Sequence, residues 1–154
     1  MTEKEMFSTI EKEVRVFLQK LGVEGDVSVE EKEEASILIN IATATPKELI
    51  GERGKILADL EYVLKVILRK RVPDHHLYIC LDVNNYKRSR EHYIREIART
   101  VADEVSLLKK EKEFPPMPPA ERRVIHMELV DRADIVSESI GEGKSRRVIV
   151  KPAP

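Results

Sequence analysis

The sequence predicts an α+β chain of two small units, residues 1–84 running α-β-β-α-α-β and residues 85–154 running α, extended connector, α, β, β. Three observations lead there. Apolar residues recur at three- and four-residue spacings in separate stretches, as on one face of a helix. Short β-branched runs bounded by turn residues fall between those stretches. The segment Phe114-Pro115-Pro116-Met117-Pro118-Pro119 cannot be helix interior, and Asn84-Asn85 marks a break where the first unit ends.

In chain order, Met6, Ile10, Val14, Phe17 and Leu21 make one stripe of a helix that stops near Gly22. Val27 and Val29, then Ile37, Ile39 and Ile41, read as two strands separated hairpin-fashion by the charge run Glu30 to Glu34. Thr45-Pro46 suits a helix start, with Thr as cap and Pro in the first turn, but Gly51 and Gly54 keep that helix short. From Lys55, a wide stripe of Ile56, Leu57, Leu60, Val63, Leu64, Ile67 and Leu68 carries a helix to Lys70, and Pro73 ends it. Lys65, Arg69, Lys70 and Arg71 either complement that helix's C-terminal dipole or line a binding groove. Leu77 to Val83 reads as a third, largely buried strand.

Beyond it, Ile94, Ile97, Val101, Val105 and Leu108 mark a long amphipathic helix, and Lys109 to Glu113 reads as its frayed end. Pro118 and Pro119 lead into a helix of about ten residues holding Val124, Ile125, Met127 and Leu129. Strands Ile135 to Ile140 and Arg147 to Lys151 close the chain around the turn Gly141-Glu142-Gly143-Lys144-Ser145.

Composition excludes several classes. The chain has 154 residues, a net charge of −1 and one cysteine, so it cannot form an intramolecular disulfide. No apolar run approaches the roughly 20 residues that span a bilayer, and the start MTEKEMFSTI lacks a signal pattern, so a reducing, cytoplasmic setting is expected. The average charge hides an asymmetry: residues 1–34 carry a net −5 and the rest a net +4, which leaves room for a basic face. Catalysis is not expected, and neither a cofactor nor a metal is implied. His75 and His76 are adjacent, so in a strand they point to opposite faces and suit a solvated strand entry better than a metal pair. His92 lies among Arg and Glu on a helix surface, and Cys80 reads as an inert core thiol.

Two segments carry chemistry. Ile50-Gly51-Glu52-Arg53-Gly54-Lys55 places two glycines three apart between a short helix and a long one. There the backbone can turn sharply, a sugar-phosphate chain can approach, and helix N-terminal amides favour anionic oxygens. A bare G-x-x-G equally serves to break and restart helices; here the flanking Ile50 and Ile56, the basic Arg53 and Lys55 and the order of elements favour the clamp. The spacing is not that of a Walker A loop, and a dinucleotide fingerprint would follow a strand. In the second half Arg122 and His126 are four apart on one helix face, with Arg123 beside them and Arg146 and Arg147 opening the last strand. Such a pair suits phosphate contact and base stacking, or is a solvated surface pair.

Residues 1–83 resemble a type II KH domain, which implies a three-stranded sheet with helices on one face and a loop, Ile50 to Lys55, that clamps single-stranded nucleotides. Glu52 departs from the basic character usual in that loop and would repel phosphate. The second half, from Pro116-Met117 through Arg122 and His126 to Ser139-Ile140-Gly141-Glu142-Gly143 and Arg146-Arg147-Val148-Ile149-Val150, resembles the small α/β R-three-H module. The tandem is similar to the C-terminal portion of the bacterial Jag family. That resemblance implies single-stranded RNA as partner, with single-stranded DNA as an alternative, and a post-transcriptional role tied to cell elongation, division or envelope control. It also implies a small single-KH protein, a membrane insertase or a second copy as protein partners, which fits an interaction scaffold with RNA incidental.

Overall fold

Thr2 opens the first helix with a reciprocal cap: the Glu5 amide donates to its hydroxyl (3.2 Å) and the Thr2 amide to the Glu5 carboxylate (2.7 Å). In the computed structural model, which describes residues 1–33, 35–73 and 77–154, this helix is α1, Glu3–Leu21. It buries Met6, Ile10, Val14 and Leu18. Beyond Val14 the stripe is carried by buried Leu18, with Phe17 partly buried against the same core, while Leu21 is left 47% exposed.

Strands β1 (Asp26–Lys32) and β2 (Ser36–Ala42) pair antiparallel, and β3 (Tyr78–Val83) joins β2 in parallel, giving the sheet order β1-β2-β3. Between β2 and β3 lie α2 (Pro46–Ile50) and α3 (Lys55–Arg71). Pro46 begins α2 as expected, but Thr45 makes no side-chain cap; its amide donates to the Thr43 hydroxyl instead (3.2 Å). The face bearing Ile37, Ile39, Ile41, Ile79, Leu81 and Val83 packs against α1 and α3 as the core of this unit.

The alternation of β3 corrects one expectation. Tyr78 and Cys80 point away from the helices, so the strand is half-buried and Cys80 is exposed, not a core thiol. The free edge of β3 is guarded by α3: the Leu81 amide donates to Glu61 Oε2 (2.9 Å), and Lys65 and Lys87 neutralise that carboxylate at 3.0 and 2.9 Å. On α3, Leu57, Leu64 and Leu68 are buried, whereas Ile56 and Val63 are on the exposed side of the expected stripe.

The chain divides into two compact units, Met1–Lys87 and Arg88–Pro154, a few residues past Asn84-Asn85 and within the first turn of α4 (Tyr86–Leu108). Helix α4 contributes Ile94, Ala98, Val101, Ala102 and Val105 to the second core, while Leu108 at its end is 62% exposed. Lys112–Glu113, expected as a frayed helix end, is a strand, β4, which pairs antiparallel with β6. After it come α5 (Pro119–Leu129), β5 (Ile135–Ile140) and β6 (Arg147–Pro152) in a sheet of order β4-β6-β5. Phe114 and Ile125 close the core against Val148 and Val150, and Met127 on α5 is exposed. Arg132 ties the turn after α5 to α4, bonding Asp103 at 2.6 Å and Asp134 at 2.9 and 2.6 Å, which holds Asp134 well below the usual carboxylate range. His75, His76 and Glu34 lie outside the described residues.

Candidate nucleic-acid interface

Leu49 and Leu57, both buried, pin the two ends of the first candidate site to the core, and partly buried Ile50 packs beside them. Between them Gly51 ends α2, donating its amide to Lys47 O (3.0 Å), and Glu52–Gly54 form one tight turn before α3. Gly51 adopts φ 70, ψ −173, a combination open essentially to glycine alone. Arg53 and Gly54 are both left-handed, at φ 53 and φ 77. A Cβ on Gly51 would stand 2.5 Å from Ile56 Cγ1, and one on Gly54 would stand 2.9 Å from the Tyr86 ring. The glycines are therefore required by the loop's own packing, and their presence is not by itself a sign of a ligand. What the loop offers outward is Glu52, Arg53 and Lys55, all exposed, with Lys55 as the first residue of α3.

In the second unit Arg122 and His126 stand one turn apart on α5, both half-buried. Arg122 Nε donates to Met117 O (3.2 Å), which leaves Nη1 and Nη2 without a partner among the described residues. That is the fork a phosphate accepts bidentately. His126 is gripped at both ring nitrogens: Nδ1 lies 2.9 Å from Ser137 Oγ and Nε2 lies 2.8 Å from Ser139 Oγ. A neutral imidazole donates from one nitrogen and accepts at the other, so one serine accepts and the other donates. Ser137 and Ser139 are site residues to which the sequence motifs do not point. The signal available was their two-residue spacing on a strand, which turns both hydroxyls to one face.

Burial lowers the His126 pKa from its ordinary value, and the Arg122 charge lowers it further. The native state then holds the ring neutral where the unfolded chain would protonate it. The stability this contributes is present above the ordinary histidine value and is lost as pH falls through the depressed one. Thermal unfolding between pH 7.5 and pH 5 is expected to show a steeper loss in the wild type than in His126→Gln; parallel curves would exclude this role for the ring.

The remaining basic residues divide. Arg123 is exposed on α5 and forms no ion pair with the described residues. Arg146 shares the Arg122 neighbourhood through Met117, whose amide donates to Arg146 O (3.3 Å), and its own Nη1 donates to Gly141 O (2.9 Å). Arg147 goes elsewhere. The β5–β6 register pairs Ser139 with Val148 and Ser137 with Val150 on the helix-facing side, so Arg147 projects from the opposite face. There its guanidinium donates to Glu113 Oε2 (2.8 Å) and Ser145 O (3.2 Å). Among the described residues no three His, Cys, Asp or Glu side chains converge on a metal position, and no helix is long and apolar enough to cross a membrane.

Comparison with known proteins places this geometry. Residues 92–152 match the R-three-H domain family. The chain is 33% identical over 126 residues to RNA-binding protein KhpB of Clostridium symbiosum, covering 81% of this chain and 56% of the relative. It is 30% identical over 139 residues to RNA-binding protein KhpB of Bacillus subtilis (strain 168), covering 89% and 66%, and 29% identical over 133 residues to the protein of that name from Lactiplantibacillus plantarum, covering 86% and 41%. The chain thus spans from about two fifths to just under two thirds of the length of these relatives. Residues 92–152 thus match the R-three-H domain, and over most of its length the chain is similar to bacterial proteins named RNA-binding protein KhpB.

Proposed function

We propose that this protein binds single-stranded RNA through two surfaces, the Ile50–Lys55 loop of a KH-type first unit and the Arg122, Arg123 and His126 face of the R-three-H domain, with Arg146 at its margin. The observation that carries the reading is the open guanidinium fork of Arg122 beside a histidine whose two ring nitrogens are already held, inside the stretch that matches the R-three-H family. The name its relatives carry, RNA-binding protein KhpB, supports RNA as the partner. The first unit's element order, its sheet with helices on one face and its tight basic loop support the KH assignment.

Titration of fluorescently labelled single-stranded RNA, duplex RNA and single-stranded DNA tests the proposal, at two salt concentrations and against Arg53→Asp/Lys55→Asp. That double variant reverses the loop's charge and suits the backbone at both positions, since aspartate tolerates the left-handed conformation and is favoured in a helix's first turn. Salt-sensitive binding to single strands is expected, weakened by about fivefold to tenfold in the variant. Equal affinity for wild type and variant would remove the loop from the interface.

A second reading, a scaffold for another protein, is favoured by the apolar residues that α3 exposes: Tyr62 at 69%, Val63 at 42% and Val66 at 40%. A small single-KH protein, a membrane-insertase complex or a second copy would then be the occupant, and a change in hydrodynamic size on mixing without RNA would support it. The link to cell elongation and envelope control rests on the family resemblance alone.

A further inference from the structure

We infer that Tyr86 is a positioning residue for the Gly51–Lys55 loop, its ring forming the floor against which Gly54 rests. The inference deepens the reading of that loop as an RNA clamp and rests on it.

Tyr86 heads α4, remote in sequence from the loop, and the chain is held firmly on both sides of it. The buried Asp82 carboxylate accepts the Val83 amide (2.8 Å) and the Lys87 amide (3.3 Å), bracketing the turn. Asn84 and Asn85 reverse the chain through left-handed conformations, φ 51 and φ 56, which asparagine tolerates better than most residues. The Asn84 amide group clamps Thr43 in both directions, accepting from its nitrogen (2.9 Å) and donating to its oxygen (2.8 Å). On the far side Lys87 Nζ is bound to Glu61 Oε2 (2.9 Å), which also receives the Leu81 amide (2.9 Å).

Delivered this way, the Tyr86 ring packs against the first core and reaches the loop. A Cβ built on Gly54 would lie 2.9 Å from Cε1, 3.5 Å from the hydroxyl oxygen and 3.6 Å from Cζ, so the ring is flush with the loop backbone. The loop needs such a support. Arg53 and Gly54 are consecutive left-handed residues, and glycine without a neighbour to hold it samples many other conformations. A loop already in its binding conformation loses less entropy when a phosphate backbone settles on it. Tyr86 acts through the loop and is not itself placed against RNA.

The full chain is used, and affinity for labelled single-stranded RNA is measured for wild type, Tyr86→Phe, Tyr86→Leu, Tyr86→Ala, Arg53→Asp/Lys55→Asp and the triple variant that adds Tyr86→Ala. Tyr86→Phe keeps the ring and is expected within about twofold of wild type, while Tyr86→Ala weakens binding about tenfold through loss of preorganisation. Tyr86→Leu, which keeps apolar bulk in the core without a flat surface, is expected about fivefold weaker by the same reasoning, and covers the case in which the alanine variant does not fold. Because Tyr86 works only through the loop, the triple variant should bind no more weakly than Arg53→Asp/Lys55→Asp; residues acting through one unit are non-additive. Wild-type affinity in Tyr86→Leu, or losses that multiply in the triple variant, would overturn the inference. Wild-type affinity in Arg53→Asp/Lys55→Asp would instead overturn the clamp reading, which the Tyr86 variants alone do not report.

Discussion

Replacing Arg122 and His126 together with alanine is expected to weaken single-stranded RNA binding by about tenfold to a hundredfold, or about 1.4–2.8 kcal/mol. The magnitude follows from what each residue does. Arg122 spends Nε on Met117 O and keeps Nη1 and Nη2 for a ligand, and a hydrogen bond to a charged group is worth about 1.5–3 kcal/mol. His126 holds Ser137 and Ser139 in place, so its loss frees two hydroxyls that are ordered on the same face. Anisotropy titrations at several salt concentrations check the result, because removing one phosphate contact should also flatten the logarithmic salt slope by about one unit. Arg122→Ala alone should move the unfolding midpoint little, since Arg122 is not part of the buried core formed by Ile125, Leu129, Val148 and Val150, whereas loss of His126 also releases its two serine hydrogen bonds. Unchanged affinity and slope would take the R-three-H face out of the interface.

Gly51→Ala is expected to destabilise the first unit by about 2–6 kcal/mol, combining a backbone conformation that costs a non-glycine residue about 1–3 kcal/mol with overpacking of similar size. The clash is with Ile56, whose Cγ1 would lie 2.5 Å and whose Cβ would lie 3.0 Å from the new Cβ; a rotamer change moves the first atom but not the second. Gly143→Ala is the control: its φ is also positive, at 55, but nothing lies within 4 Å, so only the smaller left-handed cost of about 1–2 kcal/mol applies. Thermal unfolding of both variants compares them directly. A Gly51→Ala midpoint no lower than that of Gly143→Ala would show that the loop relaxes freely and is not the rigid turn described.

The same glycine shows how far a sequence can be read. Gly51 and Gly54 were visible as a turn between helices, but the sequence offered two reasons for them, phosphate approach or helix breaking. The structure supplies a third: Ile56 and Tyr86 occupy the space a side chain would need. Ile56 is a near neighbour in sequence, whereas Tyr86 reaches Gly54 only because β3 and the Asn84-Asn85 reversal bring the start of α4 back to the loop. Likewise the spacing of Arg122 and His126 predicted a shared helix face, while their partners on β5 depended on which strand lies beside α5.

Local pattern therefore determined the helices, five of the six strands among the described residues, the Asn84-Asn85 break and the basic residues on offer, because 3.6- and two-residue periodicities and turn chemistry are properties of short segments. Tertiary structure decided the rest. β4 exists because Lys112 and Glu113 pair with β6, which their polar composition does not announce. Cys80 is exposed because the helices cover only one face of its sheet, and an apolar run does not state which face that is. Arg147 is turned from His126 by the register of β6 against β5, and Ser137 and Ser139 are turned toward it by the same register. Each of these outcomes depends on a pairing between residues distant in sequence, and such pairings are set by the packing of the whole unit rather than by any segment within it.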